Sequence, residues 1–181
     1  PTLNLATLDF NELIKDVLGL YEPRGIKLKV TLAKQALHVL GDVTMLRQVL
    51  HNLLQNAQDA LDGIQNATIE LTTLKKSDEV LLIVTDNGTG FPVEILSRAF
   101  EPYMTTKNHG TGLGLAIVKK IIEEHKGTIA IENADTMKSS IRIVADNLDV
   151  FIVLVLTVYK VELTIQSFLV TLRSAVTCTK I

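Results

Sequence analysis

Apolar residues return along the chain at two spacings, and these predict helices alternating with short strands. Residues 9–21 place Leu13, Val17 and Leu20 on one side of a helix, with Asp9 available as its N-cap. Residues 26–32 and 36–40 read as strands, closed by Gly41-Asp42. The strongest helical signal covers 43–62, where Leu46, Val49, Leu50, Leu53, Leu54, Ala57, Ala60 and Leu61 recur three and four residues apart and Gly63 follows as a stop. A strand pair at 68–74 and 79–85 flanks Lys75-Lys76-Ser77-Asp78. A Gly/Pro-rich segment at 86–110 holds one helical turn near 93–99. A second strong helix is expected at 112–125, stopped by Lys126-Gly127, with strands at 128–132 and 140–145 after it. No internal repeat is present.

Five of the ten glycines fall between Gly88 and Gly114, together with Pro92 and Pro102. Glycine allows positive φ and close backbone approach, so this clustering marks a ligand-wrapping or mobile loop. From Thr128 to Ile181 there is neither Gly nor Pro. Residues 144–181 hold 17 Ile, Leu or Val but only six charges. This stretch reads as extra strands, a partner-binding strand or a non-native tail.

The length of 181 residues suits one domain with an appendage. With 18 Lys and Arg against 20 Asp and Glu, the net charge of −2 offers no basic surplus for phosphates of a duplex, so nucleic acid is not an expected partner. The longest uncharged stretches, 48–58 and 108–118, are too short for a membrane helix, and Pro1-Thr2-Leu3-Asn4-Leu5 shows no signal peptide. A lone cysteine, Cys178, excludes an internal disulfide. A cytoplasmic domain without membrane contact is therefore expected, in a parent protein that could itself be membrane-anchored.

Three clusters carry chemistry. On the helix at 43–62, Asn52, Asn56 and Asp59 share a polar stripe. A carboxamide oxygen there suits a hydrated Mg²⁺ bridging to phosphates, although any amphipathic helix has a polar face. Asp86-Asn87-Gly88-Thr89-Gly90 follows the apolar strand Val80-Leu81-Leu82-Ile83-Val84. Its aspartate could accept from a ligand amino group, or the segment could be a D-N-G hairpin turn. Gly110-Thr111-Gly112-Leu113-Gly114 leads straight into a helix whose free N–H groups and dipole favour an anion. It is no Rossmann fingerprint, because polar loop precedes it, and it lacks the Lys-Ser/Thr ending of a P-loop.

Taken in order, Asn-Leu-Leu-Gln-Asn-Ala, Asp-x-Gly-x-Gly, Phe-Glu-Pro-Tyr-Met-Thr-Thr-Lys and Gly-Thr-Gly-Leu-Gly-Leu resemble the N, G1, F and G2 boxes of the ATP-binding catalytic domain of bacterial sensor histidine kinases. That domain belongs to the gyrase/Hsp90/histidine kinase/MutL ATPase superfamily. The resemblance covers roughly residues 8–145 and is nearest the nitrogen-regulation branch. It implies an α/β two-layer sandwich, a mixed β-sheet of about five strands covered on one face by three helices, the Bergerat-type ATP-binding fold. It implies that Asn56 ligates Mg²⁺, Asn52 supports the phosphate side and Asp86 accepts from the adenine amino group. Gly88 and Gly90 would let the base approach the backbone, and Gly110, Gly112 and Gly114 would cradle the phosphates. Phe91, Thr106, Thr111, Leu113 and Leu115 would complete the ATP-binding set. Residues 91–109 would form a lid anchored by Phe100 and Tyr103, with Lys107 and His109 near the γ-phosphate and Lys107 joining Asn52 as a catalytic group.

Superfamily relatives that hydrolyse ATP carry a glutamate base one turn before the metal asparagine. Here that position is Asn52, whose amide accepts no proton at neutral pH, so transfer to another nucleophile is expected over hydrolysis. None of His38, His51, His109 and His125 sits in a phosphoacceptor motif on a helical hairpin. The acceptor histidine is therefore expected on a separate dimerisation domain, upstream of a response regulator. A serine kinase of the anti-sigma-factor type and a nonenzymatic nucleotide-binding docking module are the rival readings. Residues 1–145 are expected to form the catalytic domain and 146–181 the apolar appendage.

Overall fold

The computed structural model describes residues 3–23, 25–76, 79–105, 110–134 and 138–146. Expectations for residues 147–181 lie outside the described residues.

In chain order the elements are β1 (Ala6–Asp9), α1 (Phe10–Gly19), β2 (Lys27–Thr31), β3 (His38–Gly41), α2 (Val43–Ala60), β4 (Thr68–Lys76), β5 (Glu79–Asp86), α3 (Val93–Leu96), α4 (Gly114–Glu124), β6 (Thr128–Ala134) and β7 (Lys138–Asp146). Five strands form one sheet in the order β2-β4-β5-β7-β6. β2 runs parallel to β4 and every other pairing is antiparallel, so the sheet is mixed as expected.

Strand alternation decides which face is covered. On β4 Ile69, Leu71 and Thr73 are buried, and on β5 Val80, Leu82, Val84 and Asp86. These meet the apolar sides of α1, α2 and α4 in one core, where Phe10, Ile14, Leu46, Leu50, Leu53 and Ile122 are fully buried. Leu74 lies on the opposite face of β4 and stands exposed. No helix among the described residues is long and apolar enough to cross a membrane.

One strand departs from expectation. The segment read at 36–40 does not join the main sheet. Its structured part, β3, pairs antiparallel with β1 as a separate ribbon (Ala6↔Gly41 through Asp9↔His38). β1 is only four residues long and ends on a helix cap, too short for an alternation to register.

Both long N-termini on this side are capped by aspartates. Asp9 accepts from the N–H groups of Asn11 (2.9 Å) and Leu37 (3.2 Å), tying α1 to the approach to β3. Asn11 is itself buried; its Nδ2 donates to the carbonyls of Ala33 and Gln35, and its Oδ1 accepts from the Thr73 hydroxyl at 2.8 Å. Asp42 caps α2 by accepting from Thr44 and Met45, and also accepts from Asn4 at 3.0 Å. The Asn4, Met45 and Thr44 amides, with a smaller contribution from nearby His125, hold the Asp42 carboxyl below its ordinary range against the opposing effect of burial.

A carboxylate whose folded pKa is depressed stabilises the fold above its unfolded pKa and loses that contribution as the pH falls through the folded value. Wild type is therefore expected to exceed Asp42→Asn in stability at pH 7, with the gap closing below about pH 4. Urea unfolding of both proteins at pH 7 and pH 3 checks this, and a pH-independent gap would contradict it.

Candidate functional site

α2 and α4 lie antiparallel, and their ends are fastened. The Asp42 N–H donates to His125 Nε2 at 2.9 Å, so the ring's other nitrogen, Nδ1, carries its hydrogen toward the Ile121 carbonyl at 2.7 Å. His125 is 4% exposed, and a Cβ on Gly41 would lie 3.4 Å from its ring. The start of α2 is thus joined to the end of α4. At the far end of the pair, Asn56 stands against the first residue of α4, where a Cβ on Gly114 would lie 3.6 Å from Asn56 Nδ2.

The polar stripe of α2 divides in two. Asn52 and Asn56 are half-buried, and Asn52 Nδ2 is buried with no hydrogen-bond partner. Asp59 is exposed on the outside of the helix and accepts from Gln55 at 2.6 Å. His51 is likewise exposed.

The Gly110–Gly114 segment reaches α4 by backbone on backbone. Gly112 has φ +66°, and a Cβ there would fall 2.5 Å from the Tyr103 carbonyl carbon, while the Tyr103 N–H donates to the Gly112 carbonyl at 2.9 Å. Thr111 Oγ1 accepts from the Leu113 N–H at 3.4 Å. Leu113, the N-cap of α4, gives no side-chain cap, so the helix start presents N–H groups in the manner of an anion site. Leu115 packs on the core.

Asp86, the last residue of β5, is 5% exposed, and its Oδ1 accepts from the Gly88 N–H at 2.9 Å. A Cβ on Gly88 would lie 2.4 Å from the Ala60 carbonyl oxygen, so only glycine lets this loop rest on the end of α2. The segment is not a hairpin turn. Asn87 binds back to the start of β4, accepting from Thr68 N–H at 2.6 Å and donating to the Asn66 carbonyl, and the chain then leaves the sheet. Gly90 has φ +72° and lies against Asn133 of β6. The Asn133 carboxamide accepts from the Phe91 N–H at 2.8 Å and donates to the Phe91 carbonyl.

Of the two expected aromatic anchors, only Phe100 is held, half-buried with the Lys119 ammonium 5.8 Å from its ring centroid. Tyr103 is 77% exposed. It takes φ +67° and is tethered through its backbone to Gly112, which turns the side chain outward, while Ala99 is the buried residue of this stretch. Thr106, Lys107 and His109 lie outside the described residues. A groove of about 550 Å³ between α1 and α2, lined by Leu20, Tyr21, Arg47, His51 and Gln58 among others, takes in Leu54 and Gln55 of the first motif block but none of the predicted site residues.

The structure thus brings Asn52, Asn56, Asp86, Gly88 and the start of α4 around one end of the α2–α4 pair. A family model described as histidine kinase-, DNA gyrase B- and HSP90-like ATPase matches residues 41–148, more than half of the chain. The chain belongs to that family. It carries an ATP-binding catalytic domain of the histidine kinase type, and the expected fold is the one found. The catalytic domain of histidine kinase ThkA superposes on the domain with a TM-score of 0.72 at 33% identity, over 81% of this chain and 97% of that one. A structure of ThkA in complex with the response regulator protein TrrA gives 0.65 at 32% identity, over 77% of this chain and 41% of that one. An NtrY-like protein of Rickettsia conorii is 48% identical over 94 residues, which is 52% of this chain. The chain spans 16% of that relative's length.

Two features of the ATPase domain carried no sequence signal of their own. His125 reads as an ordinary helix end, and Asn133 as one polar residue just past the strand expected at 128–132; the partners of both are remote in sequence. The contact at Gly88 is directly testable. Gly88→Ala is expected to lower stability by about 1–3 kcal/mol, because the added methyl meets backbone rather than a movable side chain. Thermal and chemical denaturation check it, and a change near zero would mean that the loop lifts off Ala60 without cost.

Proposed function

We propose that the domain binds Mg·ATP at this end of the α2–α4 pair and passes the γ-phosphoryl group to a histidine on a separate dimerisation domain. The observation that carries the reading is the placement of the Asn56 carboxamide against the uncapped start of α4. A carboxamide beside a helix N-terminus suits a phosphate chain and its counter-ion.

The residues fit the cation. Asn56 supplies a neutral hard oxygen, and Asn52, one turn earlier, holds a buried amide donor that has no acceptor among the described residues. Bound at Asn56, Mg²⁺ would neutralise phosphate charge. Asn52 Nδ2 donates to a phosphate oxygen, and the N–H groups after Gly112 take up the charge at the helix start. Asp86 accepts from the adenine amino group, with Gly88 and Gly90 allowing the base to approach the backbone. Because Asn52 cannot take a proton from water, the site favours an incoming nucleophile that is already basic. The imidazole nitrogen forms a bond to phosphorus, the bond to the β–γ bridging oxygen breaks, and ADP leaves. Catalysis rests on positioning and charge neutralisation. A response regulator would then receive the phosphoryl group. We assign residues 1–145 to this catalytic unit and 146–181 to an appendage.

Asp86→Ala is expected to abolish the preference for ATP over GTP, measured by competition binding; an unchanged preference would remove the adenine assignment. Transfer is tested by incubating the chain with γ-labelled ATP, Mg²⁺ and a histidine-bearing dimerisation domain, and following an acid-labile, base-stable label. Asn56→Ala is expected to reduce labelling and to weaken Mg·ATP at least about tenfold more than metal-free ATP. Equal weakening of both would refute the metal role, and label on serine would refute the histidine acceptor.

A further inference from the structure

The loop from Asp86 to Phe91 is held at two feet. At the first, Gly88 is buried on the Ala60 carbonyl and its N–H is held by Asp86. At the second, the Asn133 carboxamide binds both backbone groups of Phe91, accepting from its N–H at 2.8 Å and donating to its carbonyl. Thr89, between the feet, is exposed. A primary amide is suited to this task, since it presents an acceptor and a donor side by side, as a neighbouring strand would. A carboxylate has no donor, and an aliphatic side chain has neither group. Gly90 belongs to the same arrangement: with φ +72°, a Cβ there would lie 3.0 Å from Asn133 Oδ1. The carboxamide is carried by β6, whose backbone is paired with β7 at Asn133↔Ser139, so the second foot stands on the sheet.

We infer that Asn133 is a positioning residue for the nucleotide pocket, setting where the Gly88–Phe91 loop lies relative to Asp86 without touching the nucleotide. The inference rests on the reading of Asp86 and this loop as the base-binding side of the site. Asn56 and Gly114, at the phosphate side, are carried by α2 and α4 and make no hydrogen bond to Asn133 among those described. Loosening the second foot therefore affects recognition of the base and spares the grip on phosphate.

Asn133→Ala and Asn133→Asp in the full chain separate these effects. The probes are ATP, GTP and inorganic tripolyphosphate, each titrated calorimetrically with Mg²⁺. A second readout is amide hydrogen exchange at Phe91 in nucleotide-free protein. For Asn133→Ala, exchange at Phe91 is expected to rise about tenfold, and ATP affinity to fall about tenfold. Tripolyphosphate affinity should stay within about twofold of wild type, so that the ATP-to-GTP preference shrinks. Asn133→Asp keeps the acceptor but not the donor and should fall between wild type and Asn133→Ala. Equal losses for ATP and tripolyphosphate, or unchanged exchange at Phe91, would overturn the positioning role. Wild-type protein that binds tripolyphosphate but shows no preference for ATP would instead overturn the base-site reading on which the inference rests.

Discussion

The Asp42 N–H bond to His125 Nε2 sets one end of the helix pair from which the site is built. Asp42 is also the N-cap of α2, so a single residue fixes where α2 begins and which turn of α4 lies beside it. From that junction both helices run as rigid rods for roughly 15–20 Å. Their far ends then have no freedom in register, and Asn56 comes to stand at Gly114. Apolar burial holds the two helices together, but burial is non-directional and would tolerate a slide of one turn. The polar junction at the opposite end does not.

The candidate site is built as much from missing side chains as from present ones. Gly88, Gly90 and Gly112 each occupy a place where a Cβ would lie 3.0 Å or less from another atom: a carbonyl of α2, the Asn133 carboxamide, and the backbone at Tyr103. Removing those methyl groups lets three separate stretches of chain close around one space. The cost is conformational freedom in the unfolded state. Asn52, with a buried donor that has no partner, adds a local electrostatic cost. A ligand rich in acceptors would relieve the cost at Asn52, which would couple stability to binding at this end of the domain.

Much of this was legible in the sequence because it is periodic or contiguous. The apolar spacing of α2 and α4 follows from packing on one face. The Asp9 cap and the order of the four motif blocks are local patterns. What escaped depends on partners far apart in the chain. Asn133 meets Phe91 across 42 residues and His125 meets Asp42 across 83, distances over which a lone polar residue carries no pattern. Tyr103 shows a different failure. The family resemblance implies an anchor at Tyr103, yet its positive φ serves the contact with Gly112 and leaves the ring in solvent. Asp59 shares the spacing of Asn52 and Asn56, but the curve of the helix surface takes it out of the cleft to Gln55.

The outermost strand of the sheet has a consequence for how copies of the domain meet. Among the described residues β2 pairs only with β4, and most of its residues are exposed. It carries Lys27 and Lys29, the latter paired with Glu70 across the β2–β4 register. Adding β2 of a second copy at this border would bring ammonium groups near ammonium groups and strip them of water. Lateral growth of the sheet into a fibril by pairing of two such borders is disfavoured on that side.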